Sequence, residues 1–346
     1  MISSQNYNVR VRITASAPTR IDLAGGTIDI WPLYLFHHGA QTLNAAITIR
    51  AHAVVAPRSD DQVEIVSEDT GGRITAAPAA LRDDDTLPLL GRLASAHGVG
   101  GVTLRTRSES PAGAGIAGSS ALNVAVCGAL SRWNAGSDDR PLDPEALLVT
   151  AMNVEAQAIR VPTGLQDYRP AMYGGIAALE LGPHGLTRVP LDVDPGELER
   201  RIVLCYTGAP RNSGTNNWEI MKRHIDGDRD VFDCFERIRD TAAAMRAALD
   251  RGDWDAVGRH LGEEWSNRKR LAPGVTTSQI DDLIARAGAA GAQAAKVCGA
   301  GGGGCVFCLA PPDKIAAVRD ALAAAGAELL SFRIDTEGLR VECVAT

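Results

Sequence analysis

Residues 111–121 read Pro-Ala-Gly-Ala-Gly-Ile-Ala-Gly-Ser-Ser-Ala, and the apolar residues that follow predict a helix with both serines in its first turn. Glycines let the backbone approach a ligand closely, and a helix amino terminus offers unpaired N–H groups with partial positive charge. The segment therefore predicts an anion site at a strand-to-helix turn, with a purely structural turn as the alternative. A Walker A loop is excluded because this stretch has no lysine.

The overall composition is that of a soluble globular protein. At 346 residues the chain is more than twice the ~150 residues of a typical domain, so two domains are expected. Lys and Arg number 35 against 42 Asp and Glu, and the net charge of -7 argues against nucleic acid as a partner. Neither a membrane-spanning stretch nor the apolar core of a signal peptide is evident, so we expect a cytoplasmic protein with no membrane partner.

Strand and helix patterns alternate in both halves of the chain, which predicts an α+β fold. Helical spacing is clear at residues 143–160 and again at 254–265. The polar stretch 182–200 contains Pro and Gly and is the best candidate for a domain boundary. We therefore predict an N-terminal domain of residues 1–195 and a C-terminal domain of residues 196–346.

A second glycine cluster, Cys-Gly-Ala-Gly-Gly-Gly-Gly-Cys, occupies residues 298–305 and contributes to a total of 36 glycines. Its apolar flanks predict a rigidly held loop, and a flexible hinge is the alternative. Cys305 and Cys308 have the spacing of a redox or zinc motif, but no second Cys/His pair accompanies them. We expect both to be buried thiols on a strand.

Charged residues surround two further turns. Arg20 and Asp29 flank the Gly25–Gly26 pair, where a cation and a carboxylate could contact phosphate and hydroxyl groups; surface salt bridging is the alternative. Glu155 lies on a predicted helix, and Asp167 follows a turn. One such carboxylate could accept a hydroxyl proton and the other could hold Mg²⁺, although an Asx turn or helix cap would also explain Asp167.

Together these segments resemble the motifs of the GHMP small-molecule kinases, the superfamily of galactokinase, homoserine kinase, mevalonate kinase and phosphomevalonate kinase. The resemblance covers nearly the whole chain. Within the superfamily, several further segments are most similar to the heptose 7-phosphate kinases. The matching segments are APTRIDLAGGTID (17–29), PAGAGIAGSSA (111–121) and CGAGGGG (298–304) for the superfamily, and LNAAITI (43–49), GLQDY (164–168), MYGG (172–175) and YTG (206–208) for the heptose kinases.

The resemblance implies a two-domain GHMP kinase fold, with an N-terminal domain like ribosomal protein S5 domain 2 and a C-terminal ferredoxin-like domain. It also implies an ATP- and Mg²⁺-dependent sugar kinase with its site between the domains. The expected reaction phosphorylates the anomeric hydroxyl of D-glycero-D-manno-heptose 7-phosphate, giving the 1,7-bisphosphate for nucleotide-heptose and surface polysaccharide synthesis. The expected partners are the sugar phosphate and ATP, and a homodimer is a candidate assembly that the sequence leaves open.

Roles for individual residues follow from the motif positions. Asp167 matches the catalytic aspartate, and Arg20 stands where the family has a cation near the transferring phosphoryl group. Ser120 and Glu155 match the Mg²⁺ ligands. The nucleotide-binding positions are Gly113, Ala114, Gly115, Ile116, Ala117, Gly118, Ser119 and Ser120, and the substrate positions are Asp29, Gly26, Thr27, Gly301, Gly302 and Arg211.

Two features bear on the acceptor. Gly26 and Thr27 stand where galactokinases have Glu-His, which argues against galactose. A phosphorylated acceptor needs basic residues near its distal end, and Arg169 and Arg211 are candidates, with surface solvation as the alternative for each. An unphosphorylated sugar such as fucose or glucuronate stays open as the acceptor. A non-catalytic nucleotide or sugar sensor is the alternative from a different class.

Overall fold

The computed structural model describes residues 11–136, 140–210 and 213–345, without the side chains of residues 213–216 and 345. Arg211 lies outside the described residues. The strands are β1 (Val11–Ala24), β2 (Gln41–Pro57), β3 (Val63–Ser67), β4 (Arg73–Ala76), β5 (Val102–Ser108), β6 (Ile176–Gly182), β7 (Gly185–Pro190), β8 (Ile202–Tyr206), β9 (Ala294–Val297), β10 (Cys305–Leu309), β11 (Glu328–Leu330) and β12 (Arg340–Ala345). The helices are α1 (Pro88–Ala96), α2 (Gly118–Ala135), α3 (Pro144–Ile159), α4 (Tyr168–Tyr173), α5 (Pro195–Glu199), α6 (Ser213–Ile225), α7 (Arg229–Asp250), α8 (Trp254–Leu271), α9 (Ser278–Ala289) and α10 (Ile315–Ala324). The predicted α+β class is confirmed.

The first sheet of the described chain has eight strands, with the order β12-β1-β2-β5-β3-β4 and with β6 and β7 joined to it through β2. β2 has 17 residues, so its beginning pairs with β6 while its end pairs with β5. β1 alternates buried and partly exposed residues until Ala17 and is fully buried from there to Ala24. The second half of β1 is buried because its apolar residues Ile21, Leu23 and Ala24 share a hydrophobic cluster with residues of α7 and α8. Any charged side chain in that half therefore needs a partner.

The second sheet of the described chain is antiparallel and has the strand order β11-β8-β10-β9. Numbered along the chain, this order is four, one, three, two, which is the ferredoxin-like arrangement. The expected ferredoxin-like sheet is confirmed. Cys305 and Cys308 are both buried in β10, as predicted.

The two helices predicted with residue limits, 143–160 and 254–265, are present as α3 and α8. α3 begins where Asp143 accepts hydrogen bonds from the backbone N–H groups of Glu145 and Ala146. α8 continues to Leu271, past the predicted end at Trp265, and α6 was not predicted at all.

Across the part of the chain that the structure describes, helices with the length and apolar character needed to cross a membrane are absent.

The structure differs from a strict division of the chain at residue 196. Residues 185–190, within the predicted boundary stretch, form β7 and pair with β6 in the first sheet. β12, at the end of the predicted C-terminal domain, pairs with β1 from Val11–Ala345 to Ser16–Arg340. The first sheet therefore takes strands from both ends of the chain, which the local sequence pattern could not reveal. The domain limits stay a prediction.

Candidate active site

Arg20 lies in the buried half of β1 and joins three of the predicted segments. Its Nε donates to Oδ1 of Asp167 over 3.0 Å, and Nη2 contacts the same oxygen. Its Nη1 donates to the carbonyl oxygen of Gly115 over 2.9 Å. Burial lowers the pKa of Arg20, but the carboxylates of Asp167 and Asp22 outweigh burial and raise it. The guanidinium is thus a permanent charge in the interior, and a surface salt bridge does not describe it.

The glycine-rich loop connects β5 to α2 and has several backbone conformations that favour glycine. Gly113 and Gly115 have φ of 66° and 78°. Ala117, the residue before α2, is also left-handed, with φ 63° and ψ 36°, which costs an alanine about 1–2 kcal/mol. No side chain caps the first turn of α2. The N–H groups of that turn are therefore able to bind an anion.

Glu155 accepts hydroxyl hydrogen bonds from both serines at the start of α2. Ser119 donates over 2.7 Å to one carboxylate oxygen, and Ser120 donates over 3.1 Å to the other. The hydroxyl of Tyr168 also donates to Glu155, over 2.6 Å. Burial raises the pKa of Glu155, with a smaller contribution from the charge of Asp167. Added positive charge beside Glu155 would offset this cost and favour its ionised form.

A magnesium ion fits this group on the chemistry of its donors. Glu155 offers carboxylate oxygens and Ser120 a hydroxyl oxygen, both hard ligands. Over the described residues, no three His, Cys, Asp or Glu side chains cluster as a metal cage. Mg²⁺ usually binds through one or two carboxylates together with phosphate oxygens and water. Glu155 and Ser120 therefore suit an ion that is shared with a bound phosphate chain.

Asp29 lines the same cavity as Arg20 and Asp167 and is 1% exposed. Its Oδ2 accepts a hydrogen bond from the backbone N–H of Gln166 over 2.9 Å. Gly164 makes this approach possible, because a Cβ there would overlap the Asp29 carboxylate. Burial, and then the negative charge of Asp167, raise the pKa of Asp29 to about 6. Asp29 is thus held against the turn that presents Asp167.

The second glycine cluster, residues 298–305, packs against the glycine-rich loop at Ala114. Cys305 donates its backbone N–H to the carbonyl oxygen of Ala114 over 2.7 Å. Gly304 has φ of 82°, and a Cβ on it would lie 2.6 Å from that same oxygen. Gly301 and Gly302 are directed elsewhere: Gly302 donates to the carbonyl oxygen of Val275 over 2.8 Å. The cluster is a rigid support for the loop and not an open hinge.

These groups surround a cavity of about 370 Å³. Among the predicted residues, the cavity is lined by Arg20, Thr27, Asp29, Gly113, Ala114, Gly115, Ala117, Gly118, Ser119, Ser120, Glu155 and Asp167. The structure does not bring Gly26, Ile116, Gly301 or Gly302 to the cavity wall, where Gly299 and Ala300 represent the second cluster. Arg169, the candidate for a distal phosphate, is paired with Glu145 and does not line the cavity.

A buried cluster of charges behind Arg20 was missed in the sequence. Lys296 Nζ lies 3.0 Å from Asp22 and 3.1 Å from Glu264, and none of the three side chains is exposed. Burial favours a higher pKa for Asp22, but the charges of Lys296, Arg20 and Arg268 outweigh it and hold the pKa at about 2. Lys296 is the only charged residue of β9. A lysine in such a strand is a signal for a buried ion pair.

Two family models match the chain. The model for the GHMP kinases N terminal domain matches residues 86–175, and the model for the GHMP kinases C terminal matches residues 245–328. These matches and the fold described above confirm the expected two-domain architecture.

Individual proteins match over longer stretches. A D-glycero-alpha-D-manno-heptose 7-phosphate kinase of Campylobacter jejuni is 27% identical over 339 residues, covering 95% of this chain and 98% of the relative. A mevalonate kinase of Pyrococcus horikoshii is 30% identical over 248 residues, covering 71% and 70% respectively. A solved structure, a D-glycero-D-manno-heptose 1-phosphate kinase of Bacteroides thetaiotaomicron, has a TM-score of 0.77 at 23% identity, covering 96% of this chain and all of that one.

Proposed function

This chain belongs to the GHMP kinase family and is therefore a phosphotransferase, and we propose that it phosphorylates the anomeric hydroxyl of D-glycero-D-manno-heptose 7-phosphate with ATP. One observation carries the proposal. The Arg20–Asp167 pair lies in one cavity with the open N-terminus of α2 and with Asp29. An anion site, a catalytic carboxylate and a hydroxyl-binding carboxylate are thus adjacent, as phosphoryl transfer to a polyol requires.

Asp167 accepts the proton of the attacking hydroxyl in this mechanism. The acceptor oxygen forms a bond to the γ-phosphorus of ATP, the bond from that phosphorus to the β,γ-bridging oxygen breaks, and ADP leaves with the bonding electrons. Both hydrogen bonds from Arg20 fall on Oδ1 of Asp167, so we assign Oδ2 to the hydroxyl. Arg20 holds Asp167 in position through these hydrogen bonds and places positive charge beside the transferred group.

The glycine-rich loop binds the phosphate chain of the nucleotide. We assign the backbone of Gly113–Ser120 to the phosphates, because the first turn of α2 has no side-chain cap. Ser120 and Glu155 would hold Mg²⁺, which supplies positive charge to the phosphate oxygens when bound. In the protein itself, the hydrogen bonds from Ser119, Ser120 and Tyr168 keep the Glu155 carboxylate in position.

The heptose assignment has separate support. The relative named as a heptose 7-phosphate kinase matches 95% of this chain, and Gly26–Thr27 replaces the Glu-His of galactokinases. Mevalonate kinases match at similar identity, so the acceptor needs a direct test. We place the enzyme in the cytoplasm, where it would supply nucleotide-heptose for a surface polysaccharide, and association as a homodimer stays a prediction.

A coupled assay of ADP release across a panel of acceptors tests the proposal. The panel contains heptose 7-phosphates, the same heptoses without phosphate, fucose, galactose, glucuronate and mevalonate. We expect ATP- and Mg²⁺-dependent turnover on a heptose 7-phosphate at about 1–100 per second, with mevalonate inactive. No turnover on any phosphorylated heptose, together with turnover on another acceptor, would reject the assignment.

A further inference from the structure

Arg268 is a second buried arginine at the cavity, besides Arg20. It lies on α8, its side chain is 2% exposed, and it lines the cavity. Its Nη2 donates to the carbonyl oxygen of Gly299. The carboxylates of Asp22 and Glu264 lie 3.9 and 3.8 Å from its nitrogens, which is beyond hydrogen-bond distance. Its charge is therefore balanced nearby, but its hydrogen-bonding capacity is only partly used.

The Nη1 atom of Arg268 is buried and has no hydrogen-bond partner among the residues that the structure describes. An unused donor of a charged group in the interior is costly, and such groups are usually found to serve a ligand or water. Two amide oxygens in the same cavity wall are in the same condition within the described chain: Oε1 of Gln166 and Oδ1 of Asn217. Three residues of the cavity wall thus each carry a buried polar atom that is unpaired within the described chain, one a cationic donor and two neutral acceptors. Oε1 of Glu264, 3.8 Å from Nη1 of Arg268, is unpaired as well.

The side chains of Arg268 and Gln166 both lie against Gly26. A Cβ on Gly26 would lie 2.6 Å from Nη1 of Arg268 and 3.0 Å from Nε2 of Gln166. The guanidinium and the amide therefore share one corner of the site, next to the first motif. Gln166 also places its backbone N–H on Asp29, which the proposed function assigns to the acceptor. Arg268 and Gln166 thus lie beside the residue that the proposed function assigns to the acceptor, and Asn217 lines the same cavity.

The carboxylate of Asp22 lies between the guanidinium groups of Arg268 and Arg20. Arg20 Nη1 lies 3.8 Å from Oδ1 of Asp22, and Arg268 Nη2 lies 3.9 Å from Oδ2. The two guanidinium groups are therefore on opposite oxygens of one carboxylate. If Arg20 attends the transferred phosphoryl group, Arg268 lies one side chain away from it. That separation suits a second anionic group at the far end of a small acceptor.

We propose that Arg268, Gln166 and Asn217 form the subsite for the non-reacting end of the acceptor, with Arg268 binding its phosphate and the two amides binding its hydroxyls. The inference rests on the proposed function and deepens it by naming the residues that would recognise a sugar that is already phosphorylated. A guanidinium suits this task because its planar fork matches two phosphate oxygens. Arg268 takes the role for which the sequence offered Arg169 and Arg211.

Kinetics of Arg268→Lys on two acceptors test the subsite. Lysine keeps the charge beside Asp22 and Glu264 but loses the fork. We expect kcat/KM for heptose 7-phosphate to fall about 10- to 100-fold, mainly through KM, while the value for the unphosphorylated heptose and the Kd for ADP stay within about threefold. Arg270→Gln is the matched control, because Arg270 lies on the same helix but is exposed.

Equal losses on both acceptors, or a parallel loss of ADP affinity, would overturn the proposal, since Arg268 would then serve the nucleotide or the fold. Asn217→Ala provides a second probe that leaves the buried charges intact, and it should raise KM for both heptoses without changing the Kd for ADP. If neither Arg268→Lys nor Asn217→Ala weakens binding of the acceptor, the subsite is excluded.

Calorimetric binding of heptose 7-phosphate separates this inference from the proposed function. Binding to the unmodified protein that weakens in Arg268→Lys supports the subsite even if no phosphoryl transfer follows. Turnover of heptose 7-phosphate that is unaffected by Arg268→Lys supports the proposed function and removes the subsite.

Discussion

Asp29 is a buried carboxyl group whose ionisation opposes folding. Its pKa is raised from the usual 3.8 to about 6, first by burial and then by the charge of Asp167. Between these values the folded protein keeps a proton that the unfolded chain releases. The free energy of unfolding therefore falls as pH rises from about 4 to about 6, and a shift of two pKa units corresponds to about 3 kcal/mol.

Asp29→Asn should abolish this part of the pH dependence, because asparagine has no proton to release and its amide oxygen can still accept from Gln166. As the pH rises from 4 to 6, the free energy of unfolding of the variant should therefore increase relative to that of the unmodified protein, as measured by urea unfolding. Asp250→Asn, at an exposed position at the end of α7, is the control. Parallel stability curves for the Asp29→Asn variant and the unmodified protein across this range would contradict the assigned environment.

For individual residues, the sequence identified several side chains of the cavity but not the contacts that surround them. Arg20, Glu155 and Asp167 were recognised from their motifs, and all three line the cavity. Arg268 was missed because Glu264 and Arg268, four residues apart on a helix, have the spacing of an ordinary surface ion pair. That face is an interior one because α8 packs against β9 of the second sheet and, less extensively, against β1 of the first.

The elements that matter most are the two glycine-containing loops, which stabilise each other. Gly304 is left-handed, and its missing Cβ is what allows the carbonyl oxygen of Ala114 to approach. The local sequence indicated a rigid cluster but could not show its partner, because the contact joins residues far apart in the chain. Ala117 was identified as a nucleotide-binding position, yet its left-handed backbone follows only from the structure.

Gly304→Ala should destabilise the protein by about 2 kcal/mol or more, because it adds both an unfavourable φ and a clash with Ala114. It should also raise the Kd for ADP about 10-fold by displacing the phosphate-binding loop. Gly288→Ala is the matched control: Gly288 lies in α9 with nothing within 4 Å of its added Cβ. That variant should gain about 0.5–1 kcal/mol. Equal urea-unfolding and ADP-titration results for the two variants would contradict the supporting role.

The whole molecule assembles its site from both sheets. Arg20 comes from β1 of the first sheet, while Gly299 and Ala300 follow β9 of the second. Sequence patterns predicted the α+β class and the helices α2, α3 and α8. They did not predict the return of β12 to β1, because strand pairing over the length of the chain leaves no local signal. The joining of both sheets at Asp22 and Lys296 is likewise a consequence of tertiary packing.

The net charge of -7 would repel anionic substrates at long range. The site counters this locally with Arg20, Arg268 and the N-terminus of α2, which all border one cavity. In the proposed mechanism, binding of the two anionic substrates therefore depends on short-range contacts with these groups, with little help from the long-range field of the protein.

The most direct test of the account is phosphorus NMR of the products formed from ATP and D-glycero-D-manno-heptose 7-phosphate. We expect one ADP for each new sugar phosphate and a new resonance whose coupling places the second phosphate on the anomeric carbon. Asp167→Asn should reduce the rate of its formation at least about 100-fold. ADP formed without an anomeric phosphate, or an unchanged rate in Asp167→Asn, would contradict the assignment of this cavity as a sugar 1-kinase site.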